Sequence, residues 1–283
     1  TTKKVPASTG EYMGGFAAPK LETVRAAFIG VGYRGPNHLR FLAKQDGFEV
    51  VAISDLYEDN VKKEVKFCQE VGAGQRHQKI AEYWGSEDKW RVMLDEVKPD
   101  VVFVCTNWKN HAPMVIEAMK KGAHAFVEVP MALTLEEMWE VVNTSEQTQK
   151  HCMMMENVNY GRDELMYLNM CQKGVIGELL HAEAAYIHEL RGQMENVDRG
   201  TGFWRTPHYA NRNGNLYPTH GLGPIATMAN VNRGNRFVSL TSHATKAIGL
   251  NKYIVDNGGK DHPNAKLKWK QGDVITSKKL VIK

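Results

Sequence analysis

The chain has 283 residues, 42% of them hydrophobic and 24% charged, with a formal net charge of +4. That length holds two domains of ordinary size, and its 36 basic and 32 acidic residues are mixed along the chain, which argues against nucleic-acid binding. No run of roughly 18 apolar residues occurs, which excludes a membrane-spanning helix, and the four cysteines form no C-x-x-C pair, so they read as small thiols.

Residues 1–23 read as an irregular, polar leading arm without the apolar core of a signal peptide. From Val24 strands and helices alternate. Val24–Ile29 is an apolar strand ending at glycine, Pro36 opens a helix that runs through His38–Lys44, and Glu49–Ser54 is a second strand. Glu58–Val71 is helical in period, and Val101–Thr106 is a third strand. Pro113–Lys121 is a short helix closed by Gly122, and Ala123–Val127 a fourth strand. Thr134-Leu135-Glu136-Glu137 is a capping box that starts a helix to about Gln147. His151–Met155 makes a fifth strand. Such alternation predicts a doubly wound parallel sheet. After Asn157 the pattern changes. Arg162–Gln172 is helical, Leu179–His188 is long enough for an extended strand, and Arg191–Asn215 reads as a loop rich in Gly, Arg and Asn. A proline-started helix follows Tyr217, and Phe237–Ala244 is a further strand. The expected organisation is therefore α/β: an arm (1–23), a dinucleotide-binding domain (24–157) and an α+β domain with an open, mostly antiparallel sheet (158–283).

The first motif with chemical content is Gly30-Val31-Gly32-Tyr33-Arg34-Gly35. It follows a strand and opens a helix, the context in which G-x-G-x-x-G lets backbone approach a pyrophosphate at a helix N-terminus. Asp55 ends the second strand 20 residues beyond Gly35, where a carboxylate bonds ribose hydroxyls and repels a 2′-phosphate. NAD is the expected cofactor, and Arg34 beside the turn pulls the other way.

Three further stretches carry a resemblance. Thr106-Asn107-Trp108-Lys109-Asn110-His111-Ala112-Pro113, Glu128-Val129-Pro130 and Gly174-Val175-Ile176-Gly177-Glu178-Leu179 resemble the glucose–fructose oxidoreductase and inositol dehydrogenase superfamily. The dehydrogenases of that superfamily usually read Glu-Lys-Pro, with a lysine that assists proton transfer, where this chain has Val129. Glu128-Val129-Pro130-Met131-Ala132, the run Met153 to Arg162 and Asn215-Leu216-Tyr217-Pro218-Thr219-His220-Gly221-Leu222-Gly223-Pro224 resemble glycoside hydrolase family 109. Its members are NAD-dependent and act as α-N-acetylgalactosaminidases. The resemblance runs from about Val24 to about Asp273, and the family's chains continue past Lys283, so the second domain is expected to be incomplete here. It implies NAD contacts from Tyr33, Arg34, Asp55, Trp108, Lys109, Asn110, His111, Glu128, Val129 and Asn157, beside Gly30, Gly32 and Gly35. It implies sugar contacts from Tyr186, Arg205, Tyr217, Pro218, Thr219 and His220. Family members often carry export leaders, so a periplasmic or secreted home and a homo-oligomer are both compatible with it.

The implied chemistry is a redox route. NAD-dependent glycosidases are an exception to the two-carboxylate rule. Oxidation at C3 acidifies the C2 proton, a base removes it, the leaving group departs from C1, water adds, and C3 is reduced again. The resemblance brings His220, Tyr217 and Tyr186 to the place of this chemistry; histidine suits proton exchange near neutrality, so His220 is assigned to the O3 proton and Tyr186 or Tyr217 to C2, with Arg205 on sugar hydroxyls or the acetamido oxygen. Each residue also has a plain structural reading: Tyr186 as a packing tyrosine in a strand, His220 and His111 as helix-start residues, Glu156 as the end of a strand. No H-E-x-x-H, no compact His/Cys cluster and no G-x-S-x-G occurs, so neither a metal site nor a serine hydrolase is expected. A substrate with a terminal N-acetylgalactosamine is the expected partner. The alternatives are an NAD-dependent sugar dehydrogenase and a non-catalytic sugar- or NAD-binding protein.

Overall fold

Apolar residues on both sides of each strand make the first half of the chain a buried parallel sheet. The structure, a computed structural model, describes residues 10–72 and 76–282. It divides into two units, Thr1–Met155 and Glu156–Lys283. Residues 1–9 of the leading arm lie outside the described residues, and 10–23 contain no helix or strand.

In the first unit the elements are β1 (Val24–Ile29), α1 (Gly35–Leu42), β2 (Phe48–Ser54), α2 (Glu58–Val71), β3 (Ala81–Tyr83), α3 (Lys89–Val97), β4 (Val101–Val104), α4 (Trp108–Lys120), β5 (His124–Val127), α5 (Leu135–Thr148) and β6 (Cys152–Met154). All six strands are parallel in the order β3-β2-β1-β4-β5-β6, the strand order of a Rossmann sheet. The pleat splits the core in two. Ala26 and Phe28 join Leu39, Val61 and Val65 on one face, while Ala27 and Ile29 join Met93, Val115 and Met119 on the other. The predicted capping box is present: Thr134 Oγ1 accepts from Glu137 N at 3.1 Å, and Glu137 Oε2 accepts from Thr134 N at 3.1 Å.

Two elements here were not expected. β3 is only three residues long, too short for alternation to show, and α3 buries Trp90, Met93 and Leu94 at spacings of three and four. The helix expected from Pro113 starts five residues earlier, at Trp108. Trp108, Lys109, Asn110 and His111 therefore form its first turn.

The second unit holds α6 (Arg162–Gln172), α7 (Thr201–Asn211), α8 (Thr219–Met228), β7 (Arg236–Ala244), α9 (Gly249–Gly258) and β8 (Ile275–Ile282), with β7 and β8 antiparallel. A small core gathers Leu190, Met194, Ile254 and Trp269. Two expectations are corrected. Leu179–His188 forms no strand, because a strand needs a partner and β7 pairs with β8 instead. The span read as a loop at 191–215 contains α7, which buries Gly202, Arg205, Thr206 and Ala210 on one helical face.

Candidate functional site

Two groups of the expected residues take shape, one in each unit. In the first, β1 runs into the glycine loop and the loop into α1. Gly30 has φ +87°, and a Cβ there would stand 2.7 Å from the Cys105 carbonyl oxygen. A Cβ on Gly35 would stand 2.0 Å from the Gly30 carbonyl oxygen, so only glycine lets the start of α1 close onto β1. Gly32 differs: its Cβ would meet only Asn60, at 3.5 Å, and the residue is exposed.

Asp55 braces this loop from the end of β2. Its Oδ2 accepts from Val31 N at 2.8 Å, and its Oδ1 accepts from Tyr57 N and Asn60 Nδ2, both at 3.0 Å. A carboxylate offers about four lone-pair sites, so one remains for a ribose hydroxyl. Arg34 turns toward Glu128, with Nε 3.4 Å from Oε1, and His38 Nε2 lies 2.6 Å from the same oxygen. Burial works to raise the Glu128 pKa, but the His38 bond, the Arg34 charge and the Val129 amide outweigh it and hold the carboxyl below its ordinary value. Tyr33 and Lys109 are exposed, Asn110 half-buried, and Trp108 and Val129 buried. His111 is 1% exposed, with Nδ1 2.7 Å from the Pro130 carbonyl and Nε2 3.0 Å from that of Thr106. The ring thus sits between two backbone carbonyls, and in its neutral form it donates to one of them. Its side chain ties the end of β4 to the Glu128-Val129-Pro130 segment. Asn107, which the sequence did not single out, has a buried Oδ1 without a hydrogen-bond partner among the described residues.

The glycine cradle, a first turn of α1 without acidic residues, the Asp55 carboxylate and the orphaned Asn107 oxygen fit a dinucleotide. Among the described residues no group of three His, Cys, Asp or Glu side chains could hold a metal ion.

In the second unit Tyr186, Tyr217 and His220 converge. Their ring centroids are 5.1 Å (Tyr186–Tyr217), 4.9 Å (Tyr186–His220) and 4.9 Å (Tyr217–His220) apart. The Arg205 guanidinium lies 5.6 Å from the Tyr217 ring and 5.1 Å from that of Trp204. Glycines on α8 allow this convergence: a Cβ on Gly221 would stand 3.3 Å from Ala184 Cβ, so its absence lets the segment carrying Tyr186 lie close. Pro218 is the N-cap of α8. Thr219 Oγ1 is buried and without a hydrogen-bond partner among the described residues, an open hydroxyl beside His220. Asn157 is exposed, in a single 3₁₀ turn ahead of α6.

Glu156, read from the sequence only as the end of a strand, stands behind His220 in the structure. It is 2% exposed. Its carboxylate accepts from Val158 N at 3.2 Å and Asn159 N at 2.8 Å, and it hydrogen-bonds His220 Nδ1. This is the arrangement of a base oriented by a carboxylate. The only hint in sequence was a carboxylate at the end of an apolar run.

A doubly wound sheet whose first strand runs through a glycine loop into a helix defines a dinucleotide-binding class of protein. Residues 24–156 match the model of the "oxidoreductase family, NAD-binding Rossmann fold", and the first unit is an NAD-binding Rossmann domain. Residues 160–281 match "glycosyl hydrolase 109, C-terminal domain". Over this span the chain is similar to glycosyl hydrolase family 109. It is 55% identical over 267 residues to a glycosyl hydrolase family 109 protein of Akkermansia muciniphila, covering 94% of this chain and 55% of that one. It is 49% identical over 270 residues to an alpha-N-acetylgalactosaminidase of Shewanella oneidensis, covering 95% and 58%. The chain thus spans little more than half the length of these relatives. Among solved structures, myo-inositol 2-dehydrogenase from Lactobacillus plantarum shares the fold, with a TM-score of 0.64 at 16% identity over 92% of this chain and 66% of that one.

Proposed function

We propose that the chain carries out an NAD-dependent hydrolysis of terminal α-N-acetylgalactosaminides by oxidation, elimination, addition and reduction. The observation that carries this reading is the convergence of Tyr186, Tyr217 and His220, with a buried Glu156 behind the histidine. The name of the Shewanella oneidensis relative points to the same sugar.

NAD, when bound, supplies the hydride acceptor for C3 and the hydride that later restores it. In the first unit Gly30, Gly32, Gly35 and Asp55 would hold it, with Tyr33, Arg34, Trp108, Lys109, Asn110, Glu128 and Val129 around it. Arg34, drawn to Glu128, is turned to a carboxylate, which agrees with NAD over NADP. In the second unit the residues move protons. His220, bonded at Nδ1 by Glu156, uses Nε2 to take the O3 proton and to give it back. With C3 at the ketone level, Tyr186 or Tyr217 removes the C2 proton and the C1–O bond breaks. Water adds at C1, and the tyrosine returns a proton to C2. Arg205, Pro218 and Thr219 orient the ring, Thr219 with its open hydroxyl.

The test is turnover of an aryl α-N-acetylgalactosaminide by the NAD-loaded protein in heavy water. The expected result is released phenol, deuterium at C2 of the released sugar, and no stoichiometric NADH. Hydrolysis with the C2 hydrogen fully retained would overturn the redox route, and accumulation of NADH would point to a sugar dehydrogenase, against which Val129 in place of the lysine already speaks.

A further inference from the structure

The mechanism above needs a tyrosine that gives up its hydroxyl proton, and one tyrosine of the cluster has an acceptor already seated on it. Tyr186 Oη hydrogen-bonds His188 Nδ1, and the two rings meet edge to face at 5.4 Å and 89°. The spacing of two places both side chains on one side of an extended segment, while Ile187 between them is 94% exposed on the other. Ala184, two residues earlier on the same side, lies against Gly221 of α8 and seats the segment. An imidazole whose Nδ1 faces a phenol O–H accepts there in its neutral form and carries its own hydrogen on Nε2.

The charged groups around this pair are spoken for. Glu156 is committed to His220 and to two backbone amides. Glu189, next to His188, is bound by Arg191 through its amide at 2.8 Å and its guanidinium at 2.9 Å. The Arg205 guanidinium lies over Tyr217. The cluster therefore includes two backed proton carriers: His220 backed by Glu156, and Tyr186 backed by His188.

We infer that His188 is a positioning residue that accepts the Tyr186 proton and so makes Tyr186 the base at C2; this rests on the glycosidase reading above. The Tyr186 O–H bond breaks and its proton passes to His188 Nδ1. The phenolate takes the C2 proton, the C2–H electron pair becomes the C1–C2 double bond, and the C1–O pair leaves with the aglycone oxygen. That oxygen takes a proton from water, whose hydroxide adds to C1. Tyr186 returns its proton to C2, and His188 returns the borrowed one to Tyr186.

Three variants of the NAD-loaded protein test this: Tyr186→Phe, His188→Ala and His188→Asn. Asparagine can accept a hydrogen bond in place of Nδ1 but cannot take the proton, so a purely structural role would be rescued by it. Both His188 variants should keep their bound NAD and KM. Their kcat and C2 exchange should fall by about 10²-fold, the scale of one general-base contribution. A second readout needs no turnover. The ultraviolet absorbance step of tyrosinate that Tyr186→Phe removes should shift in both His188 variants, because each loses the imidazole that faces the phenol. If His188→Asn matches the wild type in exchange and in tyrosinate titration, the proposal is overturned while the glycosidase reading stands. If Tyr186→Phe leaves C2 exchange intact, Tyr186 is not the base and the proposal falls with that assignment. Absence of C2 exchange in the wild type sinks the glycosidase reading itself, and the tyrosinate titration then still decides whether His188 accepts the Tyr186 proton.

Discussion

Glu156 illustrates how a single buried carboxylate can fix a reacting group. Two backbone amides hold it and it faces His220 Nδ1 from a position 2% exposed to solvent, so the imidazole is oriented with Nε2 available. Glu156→Gln keeps the size and loses the negative charge that faces His220 Nδ1. The expected outcome is a fall in kcat on the order of 10²-fold with bound NAD unchanged, checked by steady-state kinetics and by cofactor content after purification. A matching fall in bound NAD would show a folding defect. Asp55 presents the other case, a residue with two jobs. It braces Val31 N and is proposed to hold the ribose hydroxyls, so Asp55→Asn should weaken NAD binding and, by removing the repulsion of a 2′-phosphate, lower the NAD-to-NADP affinity ratio at least tenfold, about 1.4 kcal/mol. Titration calorimetry with both dinucleotides measures it, and an unchanged ratio counts against the ribose assignment.

At the scale of elements, glycines decide how closely β1, α1 and α8 approach their neighbours. Gly35 and Gly32 make a contrast. A Cβ on Gly35 would collide with the Gly30 carbonyl at 2.0 Å, whereas one on Gly32 meets only an ordinary contact at 3.5 Å. Gly35→Ala should therefore destabilise the first unit by about 1–3 kcal/mol, the scale of an overpacked core. Gly32→Ala should leave stability unchanged and weaken NAD binding, because its exposed Cβ would stand where backbone approaches the pyrophosphate. Denaturant unfolding and NAD titration of both variants separate the two effects. The same elements explain what could be read from sequence. β1 and β2 announce themselves by apolar runs, α2 by apolar residues at helical spacing, and the capping box at Thr134 by its spacing. β3 is three residues long, and α7 lies within a run of Gly, Arg and Asn whose buried positions 202, 205, 206 and 210 show only against the 3.6-residue period. The Tyr186, Tyr217 and His220 cluster came from resemblance, since no periodicity links residues 34 apart. The roles of Glu156 and His188 were missed because each rests on a hydrogen-bond partner, not a pattern along the chain.

For the whole molecule, the protonation states of buried histidines set how stability responds to acid. Burial is the largest cause holding three histidines below their ordinary pKa. They are His111 between two carbonyls, His124 with Lys150 and His151 nearby, and His208 with Arg212 and Arg205 nearby. In the unfolded chain each titrates near ~6.5. Between that value and its lower folded value, the unfolded state binds more protons than the folded state, so stability rises with pH there and is lost as pH falls. Glu128 follows the same sign in a lower window. Its carboxyl is held down by His38 and Arg34 against the opposing effect of burial, so the stability it contributes is present above the unfolded carboxylate value of ~4.3 and lost below it. Acid destabilisation should thus arrive in two stages, the first beginning near pH ~6.5. His111 takes part most directly, because protonation puts a charge on a side chain 1% exposed to solvent. His111→Gln will cost stability at every pH by disturbing its bonds to Pro130 and Thr106, so the absolute loss decides nothing. The expected outcome is a shallower slope of unfolding free energy against pH just below ~6.5, with the lower, carboxylate stage unchanged. Denaturant unfolding at a series of pH values measures it. An unaltered slope in the upper window would show that His111 binds no fewer protons folded than unfolded and would remove it from the acid response.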